Sequence, residues 1–114
     1  MASIDVADET YVAVPARTLA PVLTARSTLG EWFPGLRFEV FMDRASKGTR
    51  WSVTGEMEGS VEVWLEPAEA GTVVHWFMRG EPTGQRDLAS SYVDTLNARM
   101  FGFKDAAENG RGAP

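Results

Sequence analysis

The sequence predicts an α+β fold in which an antiparallel sheet of about five strands packs against one long C-terminal helix. Several consecutive segments alternate apolar and polar side chains between turn residues, which is typical of half-buried strands in a meander. The C-terminal part instead repeats apolar residues every three or four positions, which indicates an amphipathic helix. A chain of 114 residues suffices for one core, so we expect a single domain over residues 1–108 and a disordered tail over residues 109–114.

The composition argues against several classes of protein. A formal net charge of −5 disfavours a nucleic-acid-binding protein, because such proteins need a basic surface against the phosphates. The chain has no cysteine, which excludes disulfides and thiolate metal sites. No apolar run approaches the roughly 20 residues that cross a bilayer, and the chain does not begin with a signal-peptide pattern. We therefore expect a cytoplasmic protein with no nucleic-acid partner and no membrane span.

The first part of the chain predicts one strand and two short helical segments. Residues 9–15 are rich in β-branched and aromatic side chains and predict a strand that ends at Pro15. Thr18 is a candidate N-cap for a short helix that carries Pro21 in its first turn. A second helical turn is expected from Ser27 until the Phe-Pro-Gly corner at residues 33–35.

The remainder predicts a meander and the long helix. Residues 36–43 and 49–54 alternate as two adjacent strands, and residues 59–80 read as a long hairpin whose turn is Pro-Ala-Glu-Ala-Gly. Asp87 is a candidate N-cap for a helix that ends at about Glu108. Its apolar stripe consists of Leu88, Tyr92, Leu96, Met100, Phe103 and Ala107.

These elements together resemble the START/Bet v 1-like (SRPBCC) superfamily, and most closely its small bacterial polyketide cyclase/dehydrase-type proteins. The resemblance rests on TYVAVP at residues 10–15, the GEWFPG corner at 30–35, the hairpin with its WLEP and GT segments, and the Phe103-Lys104 end of the last helix. It implies a helix-grip fold, in which a curved sheet wraps the C-terminal helix and leaves an apolar cavity. The family usually has six strands after the helical pair, whereas we count four, so the chain is expected to be shortened by about one hairpin.

The resemblance implies a binding protein for an apolar small molecule held between the sheet and the C-terminal helix. No cofactor is implied. The alternative is that the inward side chains simply fill the core, and open volume between sheet and helix distinguishes the two interpretations. The expected ligand-binding residues are Phe38, Val40, Trp51, Val53, Val63, Trp76, Met78, Tyr92, Leu96 and Met100.

The opposite face of the hairpin predicts an interface. Alternation places Trp64, His75 and Phe77 together on the outward side, with Phe41 as a further candidate. A contiguous apolar patch often marks a contact with another chain, so we consider an interaction module or a homodimer that uses this face or the sheet edge. Single exposed aromatics are also common, which leaves an ordinary surface as the alternative.

A polyketide cyclase-like enzyme is a further alternative, carried by fold-level analogy. The acid–base candidates are His75, Glu39 and Asp94, and two of them would have to meet in a pocket. His75 is the only histidine, and a lone imidazole among scattered carboxylates lacks the spacing of a metal site. We therefore assign no catalytic residue and no metal ligand from the sequence.

Overall fold

The structure is a computed structural model that describes residues 3–110. Within that range a strand is followed by two short helices, four further strands and one long helix. A short 3-10 turn at Ala45–Lys47 links the second and third strands. The elements are β1 (Ile4–Val12), α1 (Ala16–Leu23), α2 (Arg26–Trp32), β2 (Leu36–Asp43), β3 (Gly48–Gly55), β4 (Met57–Ala68), β5 (Gly71–Pro82) and α3 (Leu88–Gly110).

The five strands form one antiparallel sheet in the order β1-β5-β4-β3-β2. The long helix α3 packs on one face of the sheet, over β1, and the helical pair follows β1 along the chain. This architecture confirms the predicted α+β fold, including the strand count and the C-terminal helix. None of the helices in the described range has the length and apolar character that a bilayer span requires.

The β4–β5 hairpin is the centre of the sheet. Its strands pair without interruption from Met57 opposite Pro82 to Ala68 opposite Gly71. Two residues form the turn, and the first of them, Glu69, has a φ of 56°. The turn is therefore shorter than the five residues expected, because Pro67 and Gly71 both belong to strands. A turn residue with positive φ matches the right-handed twist of the flanking strands.

Two glycines face each other in this hairpin and allow the backbones to approach closely. Gly59 pairs with Gly80 across the β4–β5 ladder, and Gly80 pairs with Ile4 on its other side. A Cβ atom added to Gly59 would lie 2.0 Å from the carbonyl oxygen of Arg79 and 2.6 Å from Gly80 Cα. Such distances are far below van der Waals contact, so only glycine fits at this point of the sheet.

The alternation of the hairpin orients its side chains as predicted. Val61, Val63, Leu65, Val74, Trp76 and Met78 all face the core and are fully buried. From α3, the predicted stripe supplies Leu88, Tyr92, Leu96 and Met100 as buried residues, with Phe103 and Ala107 partly buried. Asp87 caps α3 as expected, because its Oδ1 accepts a hydrogen bond from the Ser90 backbone N–H at 3.2 Å.

Two boundaries near the N-terminus differ from the prediction. β1 begins at Ile4 rather than at residue 9, because Ile4 and Val6 already alternate into the core and pair with β5. Pro15 does not end that strand but precedes α1 with φ −62° and ψ 147°. The expected cap at Thr18 is therefore wrong, since α1 starts two residues earlier and no side chain caps it.

The end of α3 also differs from the prediction. The helix continues through Asn109 and Gly110, which were expected in the tail. Asn109 Nδ2 donates a hydrogen bond to Asp105 Oδ1 at 2.6 Å, and this contact between residues four apart supports the last helical turn. The rest of the predicted tail, residues 111–114, lies outside the described residues.

The glycine contact predicts opposite effects of two alanine substitutions. Gly59→Ala is expected to lower the free energy of unfolding by about 1–3 kcal/mol, because the new methyl group overlaps the β5 backbone. Gly102→Ala, in α3 with open space at its Cβ, is expected to raise it by about 0.5–1 kcal/mol. Urea unfolding followed by circular dichroism measures both, and equal effects would contradict the close approach of the strands.

Candidate functional site

The gap between the sheet and α3 is filled by aromatic side chains. Trp76, which is fully buried, lies at the centre with ring centroids 5.8 Å from Trp32 and 6.4 Å from Trp51. Its indole N–H donates to the sulfur of Met100 at 3.3 Å, which ties the sheet to the helix. In this conformation the gap holds side chains, and a ligand there would have to displace them.

The ten expected ligand-binding residues therefore fall into two groups. Seven of them belong to this packed interior and are at most 2% exposed: Val53, Val63, Trp76, Met78, Tyr92, Leu96 and Met100. The other three lie toward the β2 edge of the sheet. Trp51 and Val40 line one pocket there, and Phe38 lines another that reaches α2. The structure thus brings all ten to the inner face, and the pockets that some of them line lie near β2.

A separate groove, which we call the α1/α3 groove, lies between α1 and the C-terminal part of α3. Its volume is about 580 Å³. Among residues 3–110, Thr18 is the one polar residue that lines it, and the rest are apolar: Val14, Pro15, Leu19 and Val22 on the α1 side, and Phe103, Ala106 and Ala107 on α3. Val22 remains 49% exposed, so this apolar surface is open to solvent.

Polar contacts hold the two walls of the α1/α3 groove together. Lys104 Nζ donates to the backbone carbonyl of Tyr11 at 2.6 Å, and the Ala13 backbone N–H donates to Glu108 Oε2 at 2.8 Å. Lys104 and Glu108 also form an ion pair with each other at 2.8 Å. The end of α3 is thereby fixed to the segment that enters α1, and the groove is a built feature of the fold.

The α1/α3 groove continues toward α2. A neighbouring cavity of about 370 Å³ shares Val22 and Phe103 with it and reaches Trp32. Trp32 is half-buried and contacts Phe103 edge-on, with ring centroids 6.4 Å apart. Because Trp32 also contacts Trp76, it separates the open groove from the packed interior.

The sequence did not predict the α1/α3 groove. The sequence predicts a short helix at this point of the chain, but nothing in its pattern shows that this helix lies beside α3. The two walls come from segments more than eighty residues apart, and only the docking of the elements joins them.

The outward aromatic cluster forms a stacked ladder. Trp64 stacks on His75 with ring centroids 4.3 Å apart, and Phe77 lies on the other side of the imidazole at 6.1 Å. His75 Nε2 lies 3.0 Å from Glu66 Oε1, and its Nδ1 lies 3.5 Å from Glu9 Oε2. The structure thus brings the three predicted interface residues together, but His75 is only 9% exposed.

The surroundings of His75 decide whether the three acid–base candidates can act together. Aromatic rings cover the imidazole of His75, and its two nitrogens meet Glu9 and Glu66 rather than Glu39 or Asp94. Asp94 lies on α3 beside a shallow pocket, and Glu39 lies exposed on β2. The three candidates therefore do not meet in a pocket, and the ladder fits a packing and hydrogen-bonding role for His75.

Asp8 is a polar residue on the inner side of the edge strand β1. It shares its face with Val6 and Val12 and accepts a hydrogen bond from the Thr10 hydroxyl at 3.3 Å. Partial burial raises the pKa of the Asp8 carboxyl, and the hydrogen bond from Thr10 opposes that effect. An inward-pointing carboxylate at a sheet edge disfavours pairing with a further strand.

Tyr92 anchors the start of α3 to the β3–β4 connection. Its hydroxyl donates to Glu56 Oε2 at 2.9 Å, and Arg86 contacts the other oxygen of that carboxylate at 3.3 Å. Burial raises the pKa of Tyr92, and the hydrogen bond to Glu56 raises it further. Glu56 was not singled out from the sequence, because it lies 36 positions from its partner.

The raised pKa of Tyr92 predicts alkaline instability with a definite sign. An unfolded tyrosine ionises at about pH 10, whereas folded Tyr92 keeps its proton to higher pH. Its contribution to stability is therefore complete below pH 10 and is lost as the pH rises further.

In a Tyr11→Phe background, which leaves Tyr92 as the one tyrosine, we expect tyrosinate absorbance to appear together with loss of far-ultraviolet dichroism. Tyr92→Phe serves as the control and should make the alkaline transition shallower. Tyrosinate absorbance near pH 10 in a protein that is still folded would contradict the raised pKa.

Comparison with known proteins shows a shared fold. No family model matches the sequence, and no curated protein matches it. The dimeric Aha1 of Colwellia psychrerythraea superposes with a TM-score of 0.73 at 17% identity, over 96% of this chain and 99% of that one. A Deinococcus radiodurans protein gives 0.74 at 20% identity, over 95% and 99% of the two chains. Ara h 8.0201 gives 0.51 at 14% identity, over 92% and 94%.

At sequence identities this low, the superpositions show a common architecture and do not show a common function. The described chain therefore has the helix-grip fold that its resemblance to the START/Bet v 1-like superfamily implies.

Proposed function

We propose that the protein binds an apolar small molecule in the α1/α3 groove. The observation that carries the proposal is an open groove of about 580 Å³ lined by seven apolar residues and Thr18. That volume lies within the range of small-molecule sites, and an apolar lining with one or two polar groups is their usual composition. The Thr18 hydroxyl supplies a hydrogen-bonding group that would orient the ligand.

The packed interior supports this location over the gap between sheet and α3. Replacing the contacts of Trp76 there would cost on the order of 3–5 kcal/mol, the usual penalty for losing a buried aromatic side chain. The groove already exposes its apolar surface and needs no such rearrangement. A sheet shortened by about one hairpin relative to the superfamily, as proposed from the sequence, fits with binding at the rim of the fold.

A matched pair of variants tests the groove. Val22→Asp places a carboxylate in the groove, whereas Val93→Asp makes the same change on another helix surface of similar exposure, 49% against 41%. With the uncharged fluorescent probe N-phenyl-1-naphthylamine, we expect Val22→Asp to weaken binding roughly tenfold or more, because the ligand would desolvate a charge. Val93→Asp should bind as the unmodified protein does.

Equal affinity of the two variants, or no saturable binding by the unmodified protein, would overturn the groove as the site. Native mass spectrometry of freshly purified protein then identifies a ligand retained from the host. We expect any retained mass to be absent from Val22→Asp and present in Val93→Asp.

We infer a second candidate function, homodimer formation through the outward face. The Colwellia Aha1 structure of the same fold is a dimer. In this chain Trp64 and Phe77 are half-buried on the outward face, and Phe41 on the same side is 62% exposed. Tryptophan and phenylalanine are effective anchors in contacts between chains.

Sedimentation velocity over a range of concentrations tests the dimer. Trp64→Glu is expected to abolish any concentration-dependent dimer, because it places a charge in the centre of the contact. Phe101→Glu, on the exposed side of α3, serves as the control. A monomer at every concentration would overturn the dimer, and a dimer that persists in Trp64→Glu but not in Phe41→Glu would place the contact at the β2 edge instead.

A further inference from the structure

A second cavity, which we call the β3 pocket, lies between α1 and the end of the sheet where β2 turns into β3. Its volume is about 360 Å³. The floor comes from the inner face of β3, and α1 forms the opposite wall. It uses the face of α1 that carries Arg17, Ala20 and Pro21, whereas the α1/α3 groove uses the face with Thr18 and Val22. The two cavities are therefore separate.

The β3 pocket is lined by Thr49, a largely buried residue whose hydroxyl pairs with no protein group among the described residues. Thr49 is only 6% exposed, and its side chain forms no hydrogen bond within residues 3–110. In that range the one polar side-chain atom that is both fully enclosed and unpaired is Arg44 Nε. The Thr49 hydroxyl must therefore reach open space, and the open space it lines is this pocket.

The indole N–H of Trp51 is a second polar group without a hydrogen-bond partner in a residue that lines this pocket. Trp51 is 3% exposed, lines the pocket, and donates no hydrogen bond among the described residues. Neither polar atom is fully enclosed, because Arg44 Nε is the one enclosed and unpaired side-chain atom among residues 3–110. Both residues line the pocket, so a ligand there can form hydrogen bonds with the Thr49 hydroxyl and the Trp51 indole.

Two opposite charges stand on the walls of the β3 pocket. Arg17 lies on α1 and forms no ion pair or hydrogen bond in the described part of the chain. Asp43 lies on β2, and its Oδ1 accepts the backbone N–H of Ala45 at 2.8 Å. Arg17 and Asp43 form no ion pair with each other in the described part of the chain, and both line the pocket.

The strand register groups these residues into a polar end and an apolar end. Asp43 is directly opposite Thr49 on the paired strands, and Val40 is directly opposite Trp51. Side chains in such positions are close neighbours on one face of a sheet. Val40 is 56% exposed although it lies on the inner face, so its apolar surface is available to a ligand.

We propose that the β3 pocket binds a small zwitterion, an α-amino acid with an apolar side chain. The guanidinium of Arg17 pairs with the ligand carboxylate, and Asp43 with the Thr49 hydroxyl accepts hydrogen bonds from its ammonium group. The apolar side chain of the ligand contacts Val40 and Trp51. A ligand with only one charge would leave either Arg17 or Asp43 without an oppositely charged group on the ligand.

NMR titration of the backbone and indole N–H resonances with three probes tests the proposal. The probes are L-leucine, isocaproate, which lacks the ammonium group, and isoamylamine, which lacks the carboxylate. We expect leucine to shift the Trp51 indole and Thr49 amide resonances in a saturable way. Each single-charge analogue should bind about tenfold more weakly or worse, because a charge-assisted contact is lost.

Two variants of the exposed residues Arg17 and Asp43, and one of the buried Thr49 that nearly conserves its volume, locate the contacts. Arg17→Gln and Asp43→Asn should each weaken leucine binding by about tenfold, and Thr49→Val should weaken it as well. Arg26→Gln changes an exposed arginine at the start of the next helix and should have no effect. Val22→Asp should also leave leucine binding intact, which separates this test from that of the α1/α3 groove.

Three results would overturn the proposal. One is the absence of saturable shifts at Trp51 and Thr49 with leucine. The second is equal binding of leucine and its single-charge analogues, and the third is unchanged leucine binding in Arg17→Gln and Asp43→Asn.

Discussion

The packing of Trp76 is the constraint on which the rest of the structure depends. Its ring lies 5.8 Å from Trp32, 6.2 Å from Phe33 and 6.4 Å from Trp51, and its N–H meets the sulfur of Met100. One side chain of β5 thus joins the helical pair, the far side of the sheet and α3. Burial of large aromatic rings supplies much of the stabilisation of a small core, and a chain without disulfides relies on it. The same packing occupies the space that a helix-grip fold can offer to a ligand, and the two cavities beside α1 lie at the edge of this cluster.

Open volume remains on both sides of α1, for related physical reasons. The helix is too short to cover the inner face of β2, which leaves Val40 exposed and the β3 pocket open. On its other side α1 meets α3 near small side chains, Ala106 and Ala107, and these leave the α1/α3 groove unfilled. The first cavity carries charges and unpaired polar groups, whereas the second is almost entirely apolar. Their different linings favour different ligands, although one helix separates them.

The sequence predicted the features that depend on the repeat of apolar residues along one segment. It missed the features that depend on how separate elements pack against each other. Alternation correctly oriented Val63 and Trp76 inward, and the spacing of Leu96 and Met100 correctly placed the buried stripe of α3. Alternation alone could not show that Val40, equally inward, has no element packed over it. The burial of His75 was missed for the same reason, since it depends on cross-strand stacking with Trp64. The exposure of Val40 and the burial of His75 depend on which elements pack against them, and that packing is set by the whole sheet rather than by any one segment.

The structure of α1 explains why binding at its two faces matters for stability. An isolated helix of eight residues is not stable in water. The N-terminus of α1 has no side-chain cap, and its first turn lacks an acidic residue that would favour the helix dipole. At its C-terminal end the Thr24 and Thr28 hydroxyls donate to the carbonyls of Ala20 and Val22, each at 2.7 Å. Its order therefore comes from burial of Leu19, Ala20 and Leu23 against the core. Any ligand that contacts α1 only when it is folded shifts the equilibrium toward the folded helix by mass action. The two proposed ligands would both contact α1, so binding of either one would stabilise the folded state of the same short helix.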